Sequence, residues 1–79
     1  MTEKTLMTLK ENEIGIVTAV LAEGTMRRRF CDVGCIKGAK IRMLGEAPCG
    51  GLRAYAICGA MIAIRKGDAE RIRVRVENI

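Results

Sequence analysis

Residues 71–76, Arg71-Ile72-Arg73-Val74-Arg75-Val76, alternate basic and β-branched apolar side chains without a break. Successive side chains of a strand point to opposite faces, so this pattern makes a strand with one buried and one solvated face. A helix would scatter the same residues around its circumference. The chain must therefore supply further strands to cover Ile72, Val74 and Val76, and must do so within 79 residues. That length holds a single domain, residues 1–79, and a chain of this size buries only about 60% of its unfolded surface. Its core has to be continuous.

The other elements follow from period and punctuation. Ile14 to Val20 is β-branched and roughly alternating, with Gly15 inside it. Gly38 opens a strand in which Ile41 and Met43 point inward and Lys40 and Arg42 outward. Residues 45–51 hold Pro48 and three glycines and read as a loop. Residues 53–58 and 60–65 read as two strands joined tightly at Gly59. Ahead of them, Leu6 and Leu9 suit one helical turn or a short extended lead-in, and Asn12 is the residue best able to take a left-handed turn.

Between the first two strands Thr25 can cap a short helix from Met26 to Val33, with Met26, Phe30 and Val33 on one face. Gly34 supplies its C-terminal cap. Residues 66–70 form a polar helical turn before the last strand. The expected fold is mainly β: a small, partly open barrel of about five strands, with one short α-helix between the first two strands and a short helical turn before the last.

Charge is unevenly spread. The net charge is +5, but residues 1–26 hold two lysines and four glutamates, whereas residues 27–79 carry a net +7. A basic region of this size suits an acidic partner, whether protein, nucleic acid or membrane surface. With no histidine there is no imidazole base or metal ligand, and one Phe and one Tyr cannot build a stacking platform for single-stranded nucleic acid. No carboxylates are arranged as an acid–base pair, so no enzyme is expected. The N-terminus lacks a signal-peptide pattern, and the longest charge-free stretch, residues 54–64, is too short for a membrane helix. A cytoplasmic protein is expected, without membrane insertion and with its four cysteines reduced.

Four stretches together resemble a known family. Arg29-Phe30-x-Asp32-Val33-Gly34-x-Ile36-x-Gly38-x-x-Ile41 is similar to the Leu-x-x-Leu-Gly-hydrophobic-x-x-Gly signature of the FeoA family, small cytoplasmic proteins of bacterial ferrous iron transport. Ala47-Pro48-Cys49-Gly50 resembles that family's Ala-Pro-Leu-Gly loop. Residues 62–74 resemble its closing strand, turn and last strand, and Leu6-x-x-Leu9 with Gly15-x-Val17 fits its start. Glu11-Asn12 stands where Pro-Gly is common, Gly51-Leu52 where Asp-Pro is usual, and Cys35 and Cys49 replace larger hydrophobes. The resemblance implies an SH3-like barrel that docks on the cytoplasmic, G-protein-bearing part of a ferrous iron permease and regulates it. The same barrel occurs in metal-dependent repressors, but this chain lacks a helix-turn-helix. A basic barrel binding nucleic acid through phosphates, or a Cys₄ metal protein, are the alternatives.

Several features carry two readings. Arg27, Arg28 and Arg29 are either a patch for an acidic partner or a solvated helix face. Arg71, Arg73 and Arg75 are read as charges guarding a sheet edge. Ala54, Ala56 and Cys58 share a strand face opposite Arg53, Tyr55 and Ile57; the resemblance implies that Tyr55 and Ile57 face the core, leaving a flat surface that a second subunit could meet and form a homodimer. Cys31 and Cys35 are spaced i, i+4, with Cys49 and Cys58 available to complete a metal site, yet no Cys-x₂-Cys knuckle is present and four separate thiols are expected. No cofactor is expected. The expected partner-binding residues are Arg27, Arg28, Pro48, Cys49, Gly50 and Gly51.

Overall fold

The computed structural model describes residues 2–48 and 50–76. Six strands run β1 Thr2–Thr5, β2 Ile14–Val20, β3 Lys40–Glu46, β4 Leu52–Ile57, β5 Ala60–Arg65 and β6 Ile72–Val76. A 3₁₀ turn, Leu6–Thr8, follows β1, helix α1 spans Gly24–Asp32, and helix α2, Lys66–Ala69, precedes β6. The strands pair antiparallel in the order β1-β6-β2-β3-β4-β5, a curled sheet whose ends do not close. The expected partly open barrel is present, with a sixth strand made by the lead-in.

That sixth strand overturns one expectation. Thr2–Thr5 pairs with β6 on one side while β2 pairs on the other, so Arg71, Arg73 and Arg75 do not guard an edge. Arg73 instead lies opposite Thr5, and its Nε donates to Glu3 Oε1 at 2.7 Å. The acidic start of the chain thus meets the basic end. Lys4 and Glu13 add a second pairing at 2.8 Å, and that bond, with one from the Lys10 amide, holds the Glu13 carboxyl below its usual range.

The inward faces match the sequence pattern. Val17, Ile41, Met43, Tyr55, Ile57, Ile72, Val74 and Val76 are buried, while Lys40 and Arg42 face solvent. Leu6, Leu9 and Phe30 come from outside those strands and are also buried. At Gly15 β2 lies close against β6: a Cβ there would lie 3.0 Å from Val74 Cβ. A larger residue would push the two central strands apart.

Elsewhere the boundaries move. β3 continues through Glu46 by way of an irregularity between Met43 and Gly45, so the loop is shorter than residues 45–51. Helix α1 begins at Gly24 with Glu23 as its cap residue, and Thr25 makes no capping bond because it already sits inside the first turn. Phe30 is buried as expected, Met26 is half-buried, and Val33 is exposed because it lies beyond the last helical residue. Asn12 has the left-handed φ of +68°.

Gly34 closes the helix. Its amide bonds to Cys31 O at 3.1 Å and the Cys35 amide reaches back to Phe30 O at 2.8 Å, the paired bonds of a Schellman cap. Its φ is +87°, and a Cβ there would lie 2.7 Å from Cys58 Sγ.

Candidate functional surfaces

Helix α1 lies against the barrel with a groove on each flank; Arg27 lines one, Arg29 the other, and exposed Arg28 lines neither. On the β5 side, Met26, Phe30, Leu52, Ile62 and Ile64 line an open groove of about 450 Å³. Arg29, Asp32, Arg65 and Asp68 also line it, so its charges balance. On the β2 side a second groove of about 290 Å³ is lined by Thr18, Ala19, Val20, Arg27, Cys31, Cys35, Ile36 and Lys37. Arg27 Nη1 donates to Val20 O at 2.9 Å, which ties this guanidinium to the end of β2. Consecutive helical residues point about 100° apart, which is why a run of three arginines cannot act as one patch. Their sequence showed the charge but not the division.

The expected loop is built from tight backbone turns. Ala47 N–H bonds to Leu52 O at 3.0 Å, Gly50 N–H to Ala47 O at 2.9 Å, and Lys66 N–H to Gly51 O at 3.0 Å. Gly50 and Gly51 both take positive φ, +74° and +80°. The Gly50 amide is therefore engaged within the loop rather than offered to a partner. Pro48, Gly50 and Gly51 are exposed, and Cys49 lies outside the described residues. Neither groove beside α1 includes Pro48, Gly50 or Gly51, so neither joins them to Arg27.

The cysteines divide by burial. Cys31 is exposed, Cys35 is fully buried, and Cys58 is exposed in the β4–β5 turn with its Sγ 3.9 Å from Gly34 O. Burial, with lesser contributions from Cys31 and Cys58, pushes the Cys35 thiol up to about 11. A buried thiol is a poor nucleophile and a poor ligand, since both roles need the thiolate. Among the described residues no three His, Cys, Asp or Glu side chains gather in a metal-binding geometry. Pro48 and Gly50 precede β4 whereas Cys58 follows it, so the β3–β4 loop and Cys58 lie at opposite ends of that strand.

The strand alternation puts Arg53 on the face of Tyr55 and Ile57, but its burial and its role are not legible in the sequence. Arg53 shares the inward face of β4 with Tyr55 and Ile57 and is only 5% exposed. Its guanidinium donates to Leu6 O at 3.4 Å and, through a shorter bond, to Leu9 O; the Tyr55 hydroxyl also donates to Leu6 O, at 3.0 Å. Among the described residues Nε has no hydrogen-bond partner, but it faces Glu46 Oε1 at 3.6 Å. Arg53 thus clamps the 3₁₀ turn onto the sheet, a structural role for a residue whose charge would suggest the surface.

The outer face of β4 and its neighbours is smooth. Leu44, Gly45, Ala54 and Ala63 line a shallow depression there, and Ala56 is half-buried on the same strand face. Met61, on the unpaired side of the sheet, is 73% exposed. Among the described residues no helix is long and apolar enough to cross a membrane.

Residues 4–76 match the family model of the FeoA domain. A FeoA protein from Chlorobium tepidum superposes with a TM-score of 0.86 at 36% identity, covering 91% of this chain and 69% of that one. A crystal structure of an iron uptake regulatory protein (FeoA) superposes with a TM-score of 0.84 at 28% identity, covering 98% of this chain and 100% of that one. The FeoA of Stenotrophomonas maltophilia, solved with zinc and described as a unique prokaryotic SH3 domain protein, gives 0.75 at 27% identity, with 92% and 88% covered. A manganese-dependent transcriptional repressor shares the fold at 0.86, but at 23% identity and over 38% of its own length. A search of curated protein sequences gave no match.

Proposed function

The chain belongs to the FeoA family, which is associated with ferrous iron transport, and on that footing we propose that it is a non-enzymatic docking module for a ferrous iron permease. Its target is the cytoplasmic, G-protein-bearing part of that permease, and its place is the cytoplasm. The observation that supports this most is the pair of grooves beside α1, one balanced in charge and one basic, on a barrel whose described surface offers shape and charge. A module of this kind acts by occupying a surface on its partner and altering that partner's state.

Arg27 and Arg28 supply the charge that steers association, and the Pro48-Cys49-Gly50-Gly51 loop, of which Pro48, Gly50 and Gly51 are exposed, supplies a second contact. Complementary rim charge acts mainly on the association rate and makes it sensitive to salt. Binding kinetics of the purified permease domain at two salt concentrations test this. The Arg27→Glu, Arg28→Glu double variant is expected to associate more slowly and with a flatter salt dependence, while staying folded with a melting temperature lowered only by the loss of the exposed Arg27–Val20 bond. Normal kinetics in that variant would move the interface to the Ala54–Ala56 face. Salt-sensitive binding of duplex DNA in place of the domain would replace docking with phosphate recognition.

A further inference from the structure

We infer that the groove between α1 and the end of β2 recognises a partner segment carrying one carboxylate between apolar side chains. This rests on the docking function proposed above and names the chemistry of one contact within it. Eight of the described residues line the groove; two are cations, Arg27 and Lys37, and none of the eight is an acid. The groove on the other flank of the helix also holds two arginines, but Asp32 and Asp68 lie among them. An anion entering the β2 side therefore meets two cations and no acid among the lining residues, whereas on the β5 side it meets acids as well.

The Arg27 guanidinium is held in place before any ligand arrives. Its bond to Val20 O uses one of five N–H donors and leaves the rest of the planar fork available to a carboxylate. A side chain already fixed loses less freedom on binding than one recruited from solvent.

The walls select against a bare inorganic anion. Ala19, Val20 and Ile36 are apolar, Ile36 is 50% exposed, and Leu21, next along the chain from Val20, is 55% exposed. Apolar surface of this kind beside two cations suits a carboxylate flanked by aliphatic residues, which buries hydrocarbon while its charge is paired. A phosphate ion would use the cations and leave the walls wet.

Cys31 supplies the reporter, since its exposed thiol lines the same groove. The probe is the capped peptide Ala-Leu-Glu-Leu-Ala, with Ala-Leu-Gln-Leu-Ala and inorganic phosphate as controls, titrated into the intact protein. Amide shifts of Thr18, Cys31 and Lys37 and the rate of Cys31 alkylation are followed. The glutamate peptide is expected to shift those amides and slow alkylation, with affinity about tenfold above the glutamine peptide and above phosphate. Arg27→Gln and Lys37→Gln should each remove most of that difference, while Arg65→Gln, on the other groove, should leave it. Equal response to all three probes, absence of any response, or shifts confined to the β5 side would overturn the inference. The docking function fails separately, as absence of binding between wild type and the permease domain. Permease binding that survives Arg27→Gln combined with Lys37→Gln would sink this groove alone.

Discussion

Replacing Gly34 by alanine separates two forces that meet at one atom. The backbone term comes from φ of +87°, where an L-residue costs about 1–2 kcal/mol. The steric term comes from the new Cβ, 2.7 Å from Cys58 Sγ, and forcing that contact apart costs about 1–3 kcal/mol. Against these, alanine restricts the unfolded chain and returns about 0.4–1 kcal/mol. The net loss lies between about 1 and about 4.6 kcal/mol, about 3 at the midpoints, which is a fall in melting temperature of about 10–25 °C for a domain this small.

A double-mutant cycle divides the loss. Cys58→Ala removes Sγ and leaves its own Cβ at an ordinary 3.5 Å from the new methyl group. In that background Gly34→Ala should cost only about 1 kcal/mol, with a coupling of about 1–3 kcal/mol between the sites, the steric term itself. Thermal and urea melts of the four proteins provide the measurement. A Gly34→Ala protein that melts at or above wild type would refute the cap, and a coupling of zero would refute the packing of Cys58 on Gly34.

Three further outcomes are expected. Phe30→Ala should cost about 3–5 kcal/mol, because it empties the contact between α1 and the core, and equilibrium unfolding will read it as near-complete loss of the folded state at moderate temperature. Arg53→Met should cost about 2–3 kcal/mol by leaving Leu9 O unpaired, with faster amide exchange localised to residues 6–9, and Arg53→Lys should not restore it, because a single ammonium lacks the guanidinium's fork of donors. Cys31 and Cys58 should be alkylated in the native protein well before Cys35, as mass spectrometry of timed reactions would show. Because burial raises the Cys35 thiol to about 11, its contribution to stability is fully present below the unfolded value of about 8.5 and is lost as pH rises towards 11, and Cys35→Ala should flatten that decline.

Much of the barrel was legible because side-chain period and backbone strain leave marks in sequence. The alternation of residues 71–76 located β6 and its inward residues, while the inward position of Tyr55 and Ile57 on β4 came from the family resemblance. Asn12 and Gly34 were readable as left-handed positions because few residues tolerate them. Thr2–Thr5 left no such mark. It joins the sheet through backbone bonds to β6, with polar side chains that alternate nothing apolar, and so the arginines of β6 looked like edge charges.

Arg53 escaped for a related reason. It is buried by two carbonyls of a turn some 44 residues distant in sequence, and no local pattern announces a long-range acceptor. Cys58 adopts a φ of +51° in a two-residue hairpin turn, where its sequence suggested only a strand end. The grooves beside α1 depend on how the helix lies on the barrel. The spacing of Met26 and Phe30 indicated which face packs, but not which arginine would fall on which side.

The most direct measurement is equilibrium and kinetic binding of the folded wild-type protein to the isolated cytoplasmic domain of a ferrous iron permease, at low and at physiological salt. Docking predicts saturable binding whose association rate falls as salt rises, since partner encounter is steered by Arg27 and Arg28. Absence of binding at low salt, with both proteins shown to be folded, would contradict it.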